Sequence, residues 1–349
     1  MPVRRVLLSA VGSIRAGGFL LKWPFAMRAP VAGLRRSHAF VEPTGATLKL
    51  KTNHNRTAGS EQRTMTMQKF KMILDIESYV STTEHQRYQS MERYVPPVVP
   101  AIMRSGQRVD TDPLVTPRWP FREIVTVVVM KCIVEDNQSL VPVEINTFSR
   151  PDFDEKGIIE AVFGCLGSTP AADTELVTYN GRIHDVPLLM TRAMKHELAL
   201  PSGWAWMAGQ SRGPAPHVDL LQSFTGGSRM TLAHMAEFAA VLGIPCKITA
   251  APNSVARFVE AGNFTAIQEM CEVDVISLSL LYCNWKKLVE GGCDVWIAHE
   301  RIYREVERLS AGRSYIPVLA AERRALCDRH IRGSAVEDCD SPATASTVG

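Results

Sequence analysis

Apolar positions along the chain predict a mixed set of strands and helices. Four runs rich in apolar or β-branched residues predict strands, at Met72–Leu74, Glu123–Val134, Leu140–Phe148 and Leu176–Tyr179. Apolar residues at helical spacing predict four helices, at about Asp154–Cys165, Asp185–Leu198, Thr231–Leu242 and Phe264–Glu290. The second and third strands are expected to form a hairpin closed around residues 136–138. Strands flanked by helices in this way favour an α/β fold whose mixed sheet is covered on both faces.

Two acidic residues, Asp75 and Glu77, directly follow the first predicted strand. Side chains alternate between the faces of a strand, so both carboxylates project to one side and Ile76 to the other. Like charges this close repel unless a cation lies between them, and Mg²⁺ and Mn²⁺ bind carboxylate oxygens readily. The pair is therefore a candidate metal site, although two solvated acids at a strand end would give the same pattern.

A third acid, Asp185, opens the predicted helix that follows the turn signal Asn180-Gly181. Asp is favoured at the N-cap of a helix, and Pro187 suits a first helical turn. Capping is therefore one role for Asp185. Metal binding is a second role, and one residue can serve both.

A fourth acid, Asp274, lies in the apolar stripe of the long helix, between Cys271 and Leu278. A bare carboxylate is costly to desolvate there, so it is expected to be paired with a cation, hydrogen-bonded, or close to a cleft. Glu272, which is off the stripe, is predicted to be an ordinary surface charge.

In their order and surroundings, these segments resemble the predicted 3'-5' exonuclease family related to the exonuclease domain of family B DNA polymerases. That family belongs to a larger group that uses four acidic residues, Asp-Glu-Asp-Asp. The resemblance covers roughly Lys69 to Gly291, and its segments are Leu74–Glu77, Val177–Asp185, His217–Leu220, Leu232–Pro245 and Cys271–Val275. It implies a ribonuclease H-like α/β fold, with a mixed sheet and helices on both faces.

The resemblance also implies a function. The chain would be a metal-dependent 3'-5' exonuclease that hydrolyses phosphodiester bonds at single-stranded 3' ends of DNA or RNA with two divalent ions, Mg²⁺ or Mn²⁺. Asp75, Glu77 and Asp274 would hold one ion, and Asp75 with Asp185 would help to hold the second. The implied catalytic and metal-binding residues are thus Asp75, Glu77, Asp185 and Asp274. The implied contacts to the nucleic acid are Asn180, Arg182 and His184.

The residues before the last acid, Asp274, depart from the pattern of the larger group. In the tyrosine-bearing branch of the group, a tyrosine thought to orient the attacking water stands four residues before the last acid, where this chain has Met270. A thioether cannot orient a water in that way. A slowed exonuclease is the preferred interpretation, and a catalytically impaired nucleic-acid-binding module on the same fold is the alternative. An endonuclease on this fold is a third, weaker one.

The composition of the chain narrows the classes of function and of site that it can have. A net charge of +3 over 349 residues is too small to indicate nucleic-acid binding, so any attraction for phosphate must be local. Eight cysteines without a Cys-x-x-Cys pair argue against a zinc ribbon and suit a reducing compartment. No apolar run approaches the roughly 18 residues of a membrane span, so no membrane interaction is expected.

Four segments are predicted along the chain. Residues 1–66 form a disordered or targeting extension, 67–292 the exonuclease domain, 293–332 a helical extension, and 333–349 a disordered tail. The first acid is Glu42, and the residues before it have the composition of an organellar transit peptide. A start codon placed too far upstream would explain them equally, because Met65 and Met67 precede the first strand. We expect a cytoplasmic protein, or a mitochondrial or other organellar one if the transit peptide is genuine.

Overall fold

The fold is built on one five-stranded sheet. The computed structural model describes residues 68–91, 116–135, 139–209, 216–226, 233–250 and 254–339, with side chains as far as residue 332. In these residues the strand order is β3-β2-β1-β4-β5. The strands are β1 (Phe70–Val80), β2 (Arg122–Val134), β3 (Leu140–Ser149), β4 (Thr174–Thr178) and β5 (His217–Asp219). The β1–β2 and β2–β3 pairs are antiparallel, whereas β1–β4 and β4–β5 are parallel.

Helices cover both faces of this sheet. They are α1 (Thr82–Met91), α2 (Glu155–Gly167), α3 (Asp185–Lys195), α4 (Leu220–Thr225), α5 (Met235–Val241), α6 (Val255–Glu260), α7 (Phe264–Glu290), α8 (Val295–Leu309) and α9 (Ile316–Cys339). Alternate residues of β1 face different layers: Leu74 and Ile76 pack with α2 and α3, and Ile73 packs with α7 and α8. The predicted class, an α/β fold whose mixed sheet has helices on both faces, is confirmed.

The first strand is longer than predicted. Its sequence pattern predicts an end at Leu74, but β1 continues to Val80 because it pairs with β2 along its whole length. The two acids of β1 therefore lie within the strand. Pairing with β4, in contrast, extends only from Phe70 to Ile73. Beyond Ile73 that edge of β1 pairs with no strand of the described residues, and a crevice opens there at the carboxyl ends of two parallel strands, where ligands of α/β sheets commonly bind.

Most predicted elements recur with shifted ends. The hairpin is the β2–β3 pair, and the four predicted helices correspond to α2, α3, α5 and α7. Several predictions concern residues outside the described ones: the extension 1–66, the hairpin turn 136–138 and the end of the tail. The division into domains stays a prediction, but α8 packs into the same core as α7, and α9 runs past residue 332 to Cys339. Among the described helices, none is both long and apolar enough to cross a bilayer.

Candidate active site

Four acids from three elements line one cavity of about 480 Å³. Asp75 and Glu77 come from β1, Asp185 is the first residue of α3, and Asp274 lies in α7. One carboxylate oxygen from each of Asp75, Glu77 and Asp274 lies within 4.8 Å of the others. The crevice beside β1 thus gathers the four acids that the sequence singles out, and three of them form a group that could hold a metal ion.

A tight turn brings Asp185 to this cavity. Asn180 takes a left-handed conformation (φ 63°), and a Cβ on Gly181 would lie only 2.4 Å from Oγ1 of Thr178, so glycine is required there. The carboxylate of Asp219 accepts hydrogen bonds from the backbone N–H groups of Asn180 (2.8 Å) and Arg182 (3.0 Å). Asp219 therefore braces the turn. The N-cap of α3 is His184, so the carboxylate of Asp185 does not have the capping role that the sequence left open.

Helix α7 contributes Asp274 to the lining of the cavity. Sγ of Cys271 lies 3.3 Å from Oδ2 of Asp75, and Asp274 follows one turn later with 4% exposure. Oδ2 of Asp274 forms an ion pair with Nζ of Lys247. Oδ1 of Asp274 is buried and has no hydrogen-bond partner among the described residues. A buried carboxylate oxygen without a partner is costly and is a natural ligand for a hard cation.

Burial and mutual repulsion disfavour the charged forms of these acids. Burial, followed by the charge of Asp185, raises the pKa of Asp75 to about 6. Burial, followed by the charge of Asp75, raises the pKa of Asp274 to about 7. Burial, followed by the charges of Asp75 and Asp274, raises the pKa of Glu77 well above its usual value. Burial also raises the pKa of Asp185, against the opposing hydrogen bond from His184. A bound cation would relieve this repulsion.

The predicted nucleic-acid contacts divide between two cavities. Asn180 and His184 line the cavity of the acids, and Nδ1 of His184 lies 3.0 Å from Oδ1 of Asp185. Oδ1 of Asn180 is buried and has no partner among the described residues. Arg182 instead lines a neighbouring cavity, and its guanidinium donates to the carbonyl oxygen of His217. The structure therefore brings Asn180 and His184 to the acids, but not Arg182.

Met270 and Glu272, two residues of α7, are both buried. Met270 is fully buried and packs in a cluster with Val125, Val255 and Ile267. Its side chain thus contributes to the core. Glu272, predicted to be a surface charge, is 2% exposed, so that prediction is wrong. Its carboxylate accepts hydrogen bonds from three side chains: Thr147 (2.6 Å), Arg313 (2.7 Å) and Tyr315 (2.9 Å).

Two cations, Arg122 and Lys247, also line this cavity. In the sequence Arg122 does not stand out, and Lys247 is one of several scattered basic residues that could touch a nucleic-acid backbone but are usually only a soluble surface. Arg122 begins β2, lies opposite Val80 in the sheet and donates to the carbonyl oxygen of Ser78 at 3.3 Å. Lys247 enters from the loop between α5 and α6. Neither residue belongs to an apolar periodic pattern or to one of the segments that resemble the exonuclease family. Only the assembled sheet brings them beside the acids.

A comparison with known protein families identifies the family of this chain. Residues 117–309, more than half of the 349, match the family described as a predicted 3'-5' exonuclease related to the exonuclease domain of PolB. The chain belongs to this family. It therefore has a 3'-5' exonuclease-like domain, as the sequence resemblance implies. The matched segment includes Asp185 and Asp274 but begins after Asp75 and Glu77, so the place of those two acids in the site rests on the structure.

The solved structures to which this chain is similar include a DNA polymerase and exonuclease I. The family B DNA polymerase from the archaeon Pyrobaculum calidifontis is 13% identical, with a TM-score of 0.40 over 69% of this chain and 29% of the polymerase. Product-bound exonuclease I is 9% identical, with a TM-score of 0.36 over 67% of this chain and 47% of that one. E. coli exonuclease I with a dT13 oligonucleotide is 10% identical, with a TM-score of 0.37 over 69% and 46%.

The chain therefore matches less than half of the length of each of these structures. No curated protein matches it in sequence.

Proposed function

We propose that the chain is a metal-dependent 3'-5' exonuclease that hydrolyses phosphodiester bonds at the 3' ends of DNA or RNA. The observation that carries the proposal is the convergence of Asp75, Glu77, Asp185 and Asp274 on one cavity. Clustered carboxylates, of which Asp185 and Asp274 are buried and Asp75 and Glu77 half-buried, destabilise a fold, so their gathering in a crevice is better explained by chemistry than by packing.

The donor set fits divalent ions. Asp75, Glu77 and Asp274 would hold one ion, and Asp75 with Asp185 would help to hold a second. Oδ1 of Asp274, which has no hydrogen-bond partner in the described part of the chain, supports this, because hard cations such as Mg²⁺ and Mn²⁺ bind carboxylate oxygens. When bound, such ions supply Lewis-acid activation of the attacking water and stabilise the charge on the departing 3' oxygen.

The remaining cavity residues suit a single-stranded nucleic-acid end. His184 offers a ring that can stack on a base or sugar, and Asn180 offers an amide that can donate to a phosphate or a base. Arg122 places a cation on the same wall, where it would contact a backbone phosphate. Each of these contacts is local, in keeping with the small net charge of the chain.

Met270 supports a second candidate function, a nucleic-acid-binding module on the same fold with impaired catalysis. Its buried thioether offers no group to orient a water where the tyrosine-bearing relatives have one. General acid-base groups contribute roughly 10²- to 10⁴-fold to rates. A slow exonuclease is the better candidate, because all four acids are present and line the cavity together.

A time course on oligonucleotides labelled at the 3' or the 5' end tests the proposal. Single-stranded DNA and RNA would be incubated with Mn²⁺, Mg²⁺ or chelator. We expect stepwise shortening from the 3' end that needs metal and that falls by at least about 10²-fold in Asp75→Asn. Asp152→Asn, the same change at an exposed position, is the control.

Each other outcome has a defined meaning. Degradation that survives chelation, or that the Asp75→Asn protein retains, would contradict the proposal. Binding without cleavage would favour the module. Internal cuts would indicate an endonuclease.

A further inference from the structure

Lys247 places a positive charge inside the acidic cavity. Its Nζ forms an ion pair with Oδ2 of Asp274, and its side chain is 22% exposed. Burial disfavours the ammonium form, but the charges of Asp274, Asp75 and Glu77 outweigh burial and raise the pKa of Lys247. In turn, the charge of Lys247 offsets part of the rise in the pKa of Asp75, Glu77 and Asp274. Lys247 is thus the counterion of the group of acids that could hold a metal.

The loop around Lys247 is fixed to the core on both sides. Ser277 of α7 donates from Oγ to the carbonyl oxygen of Pro245 at 2.8 Å. Cys246 and Ile248 both pack against the hydrophobic cluster that contains α7. Lys247 itself takes a left-handed backbone conformation (φ 55°), which is uncommon for lysine and indicates a constrained position. The ammonium is therefore held in the cavity by its surroundings, unlike that of a mobile surface lysine.

One ammonium does not satisfy this cluster. It neutralises a single charge, whereas one oxygen from each of three carboxylates lies within 4.8 Å of the others. Oδ1 of Asp274 still has no hydrogen-bond partner among the described residues. A divalent ion carries more charge and can bind several carboxylate oxygens at once. Because Asp274 belongs to the group that could hold a metal, an incoming ion and Lys247 compete for the same carboxylate.

We propose that Lys247 is the resident counterion of the acidic cavity, that it gives up Asp274 to the incoming metal ion, and that its ammonium then contacts the phosphodiester of the substrate. This inference rests on the proposed function, which puts a divalent ion and a nucleic-acid 3' end in the same cavity. It predicts opposite effects of removing the charge: tighter metal binding and slower hydrolysis. A lysine with a purely structural role would not tighten metal binding when replaced.

Metal affinity is measured first, on the full chain without nucleic acid, by titrating Mn²⁺ and following the free ion by electron paramagnetic resonance. We expect Lys247→Met to bind Mn²⁺ roughly tenfold more tightly than the natural protein, because a cation that repels the incoming ion is gone. Lys247→Arg keeps the charge and should bind no more tightly than the natural protein. Lys286→Met removes a part-buried lysine paired with Glu290, outside the cavity, and is the matched control.

Hydrolysis is measured second, at saturating Mn²⁺ on a 3'-labelled oligonucleotide. Lys247→Met should be slower by on the order of 10²-fold, since a charge that stabilises the phosphodiester is lost. Lys247→Arg should retain most of the rate, and Lys286→Met all of it. If the methionine variant does not fold, Lys247→Gln removes the same charge with a polar end group and carries both measurements.

The outcomes separate this inference from the proposed function. Equal or weaker Mn²⁺ binding by Lys247→Met would overturn the exchange and leave the metal centre intact. Tighter binding with an unchanged rate would overturn the phosphodiester contact alone. Absence of Mn²⁺ binding in every protein would overturn the metal centre, and with it both proposals.

Discussion

Glu77 shows how a single residue can serve chemistry at the expense of stability. Its carboxylate lies in the same 4.8 Å group as those of Asp75 and Asp274, and burial together with their charges raises its pKa well above the usual range. An acid whose pKa is higher in the folded than in the unfolded state destabilises the fold at every pH above its unfolded-state pKa, and most above its folded-state pKa. The destabilisation is relieved as the pH falls through the folded-state pKa.

We therefore expect Glu77→Gln to stabilise the protein when metal is absent. In chelator at about pH 8, the free energy of unfolding should rise by roughly 1 kcal/mol, because the amide keeps the shape and removes a like charge. Urea denaturation measures the difference. Glu160→Gln, at an exposed position of α2, should leave stability within about 0.5 kcal/mol. A less stable Glu77→Gln protein would indicate that this carboxylate has a favourable partner in the metal-free fold.

At the scale of elements, one buried ion network joins three helices and the sheet. Arg192 of α3 is 1% exposed and donates to both carboxylate oxygens of Glu155 in α2, at 2.6 Å each, and to Glu84 of α1 at 2.6 Å. Glu155 also accepts the backbone N–H of Ile124 in β2 at 2.8 Å. The guanidinium of Arg192 therefore holds α1, α2 and α3 together.

This network predicts a pH-dependent effect of Glu155→Gln. Burial raises the pKa of Glu155, but hydrogen bonds from Arg192, His196 and Ile124 outweigh burial and lower it overall. A lowered folded-state pKa stabilises the fold above the unfolded-state value of about 4.3, and this stabilisation is lost as the pH falls through the folded-state pKa. At neutral pH the substitution should lower the free energy of unfolding by about 3 kcal/mol, because it leaves Arg192 buried without its full partner.

Denaturation of both proteins between about pH 7 and pH 3 checks the sign. The difference between the natural protein and Glu155→Gln should be largest near pH 7 and should shrink below about pH 4. The control is Glu160→Gln on the same helix. A difference that stays constant or grows in acid would mean that the charge of Glu155 is not what stabilises the junction.

Elements with strong local signals were predictable from the sequence, and the rest depended on tertiary pairing. Helix α7 begins and ends as predicted because its apolar stripe is long, with Asn263 at the N-cap and Gly291 in a left-handed C-cap. The end of β1 was missed because its acids interrupt the apolar pattern, although pairing with β2 keeps the strand extended. Strand β5 has three residues, too few to show a period.

The candidate site divides in the same way. Each acid could be singled out from the sequence because it stands at a recognisable point of a strand or helix, and the family resemblance grouped the four as one predicted site. Lys247 could not, since it lies on a loop without periodicity and reaches the acids only through the folding of distant segments. The burial of Met270 in a core cluster could not be predicted from the sequence either, because its neighbours Val125 and Val255 come from β2 and α6.

At the scale of the whole molecule, the cavity depends on the assembled sheet. The acids come from β1, α3 and α7, and no single element carries more than two of them. A metal ion held between them would bridge segments that separate when the fold opens. Such an ion would stabilise the whole fold against unfolding, and not only a local loop against opening, because the unfolded chain does not gather the acids.

This linkage gives a prediction for Mn²⁺ in the absence of nucleic acid. At about a hundredfold excess over its Kd, Mn²⁺ should raise the free energy of unfolding by about 2.7 kcal/mol, as binding to the folded state alone requires. Hydrogen exchange should slow in β1, α3 and α7 together, since an ion that joins them closes their shared opening reaction. Asp274→Asn should lose most of this effect, whereas Asp152→Asn should retain it. Protection limited to α7 would argue that the ion does not bridge the elements, because a bound ion can slow only those openings that break its own contacts.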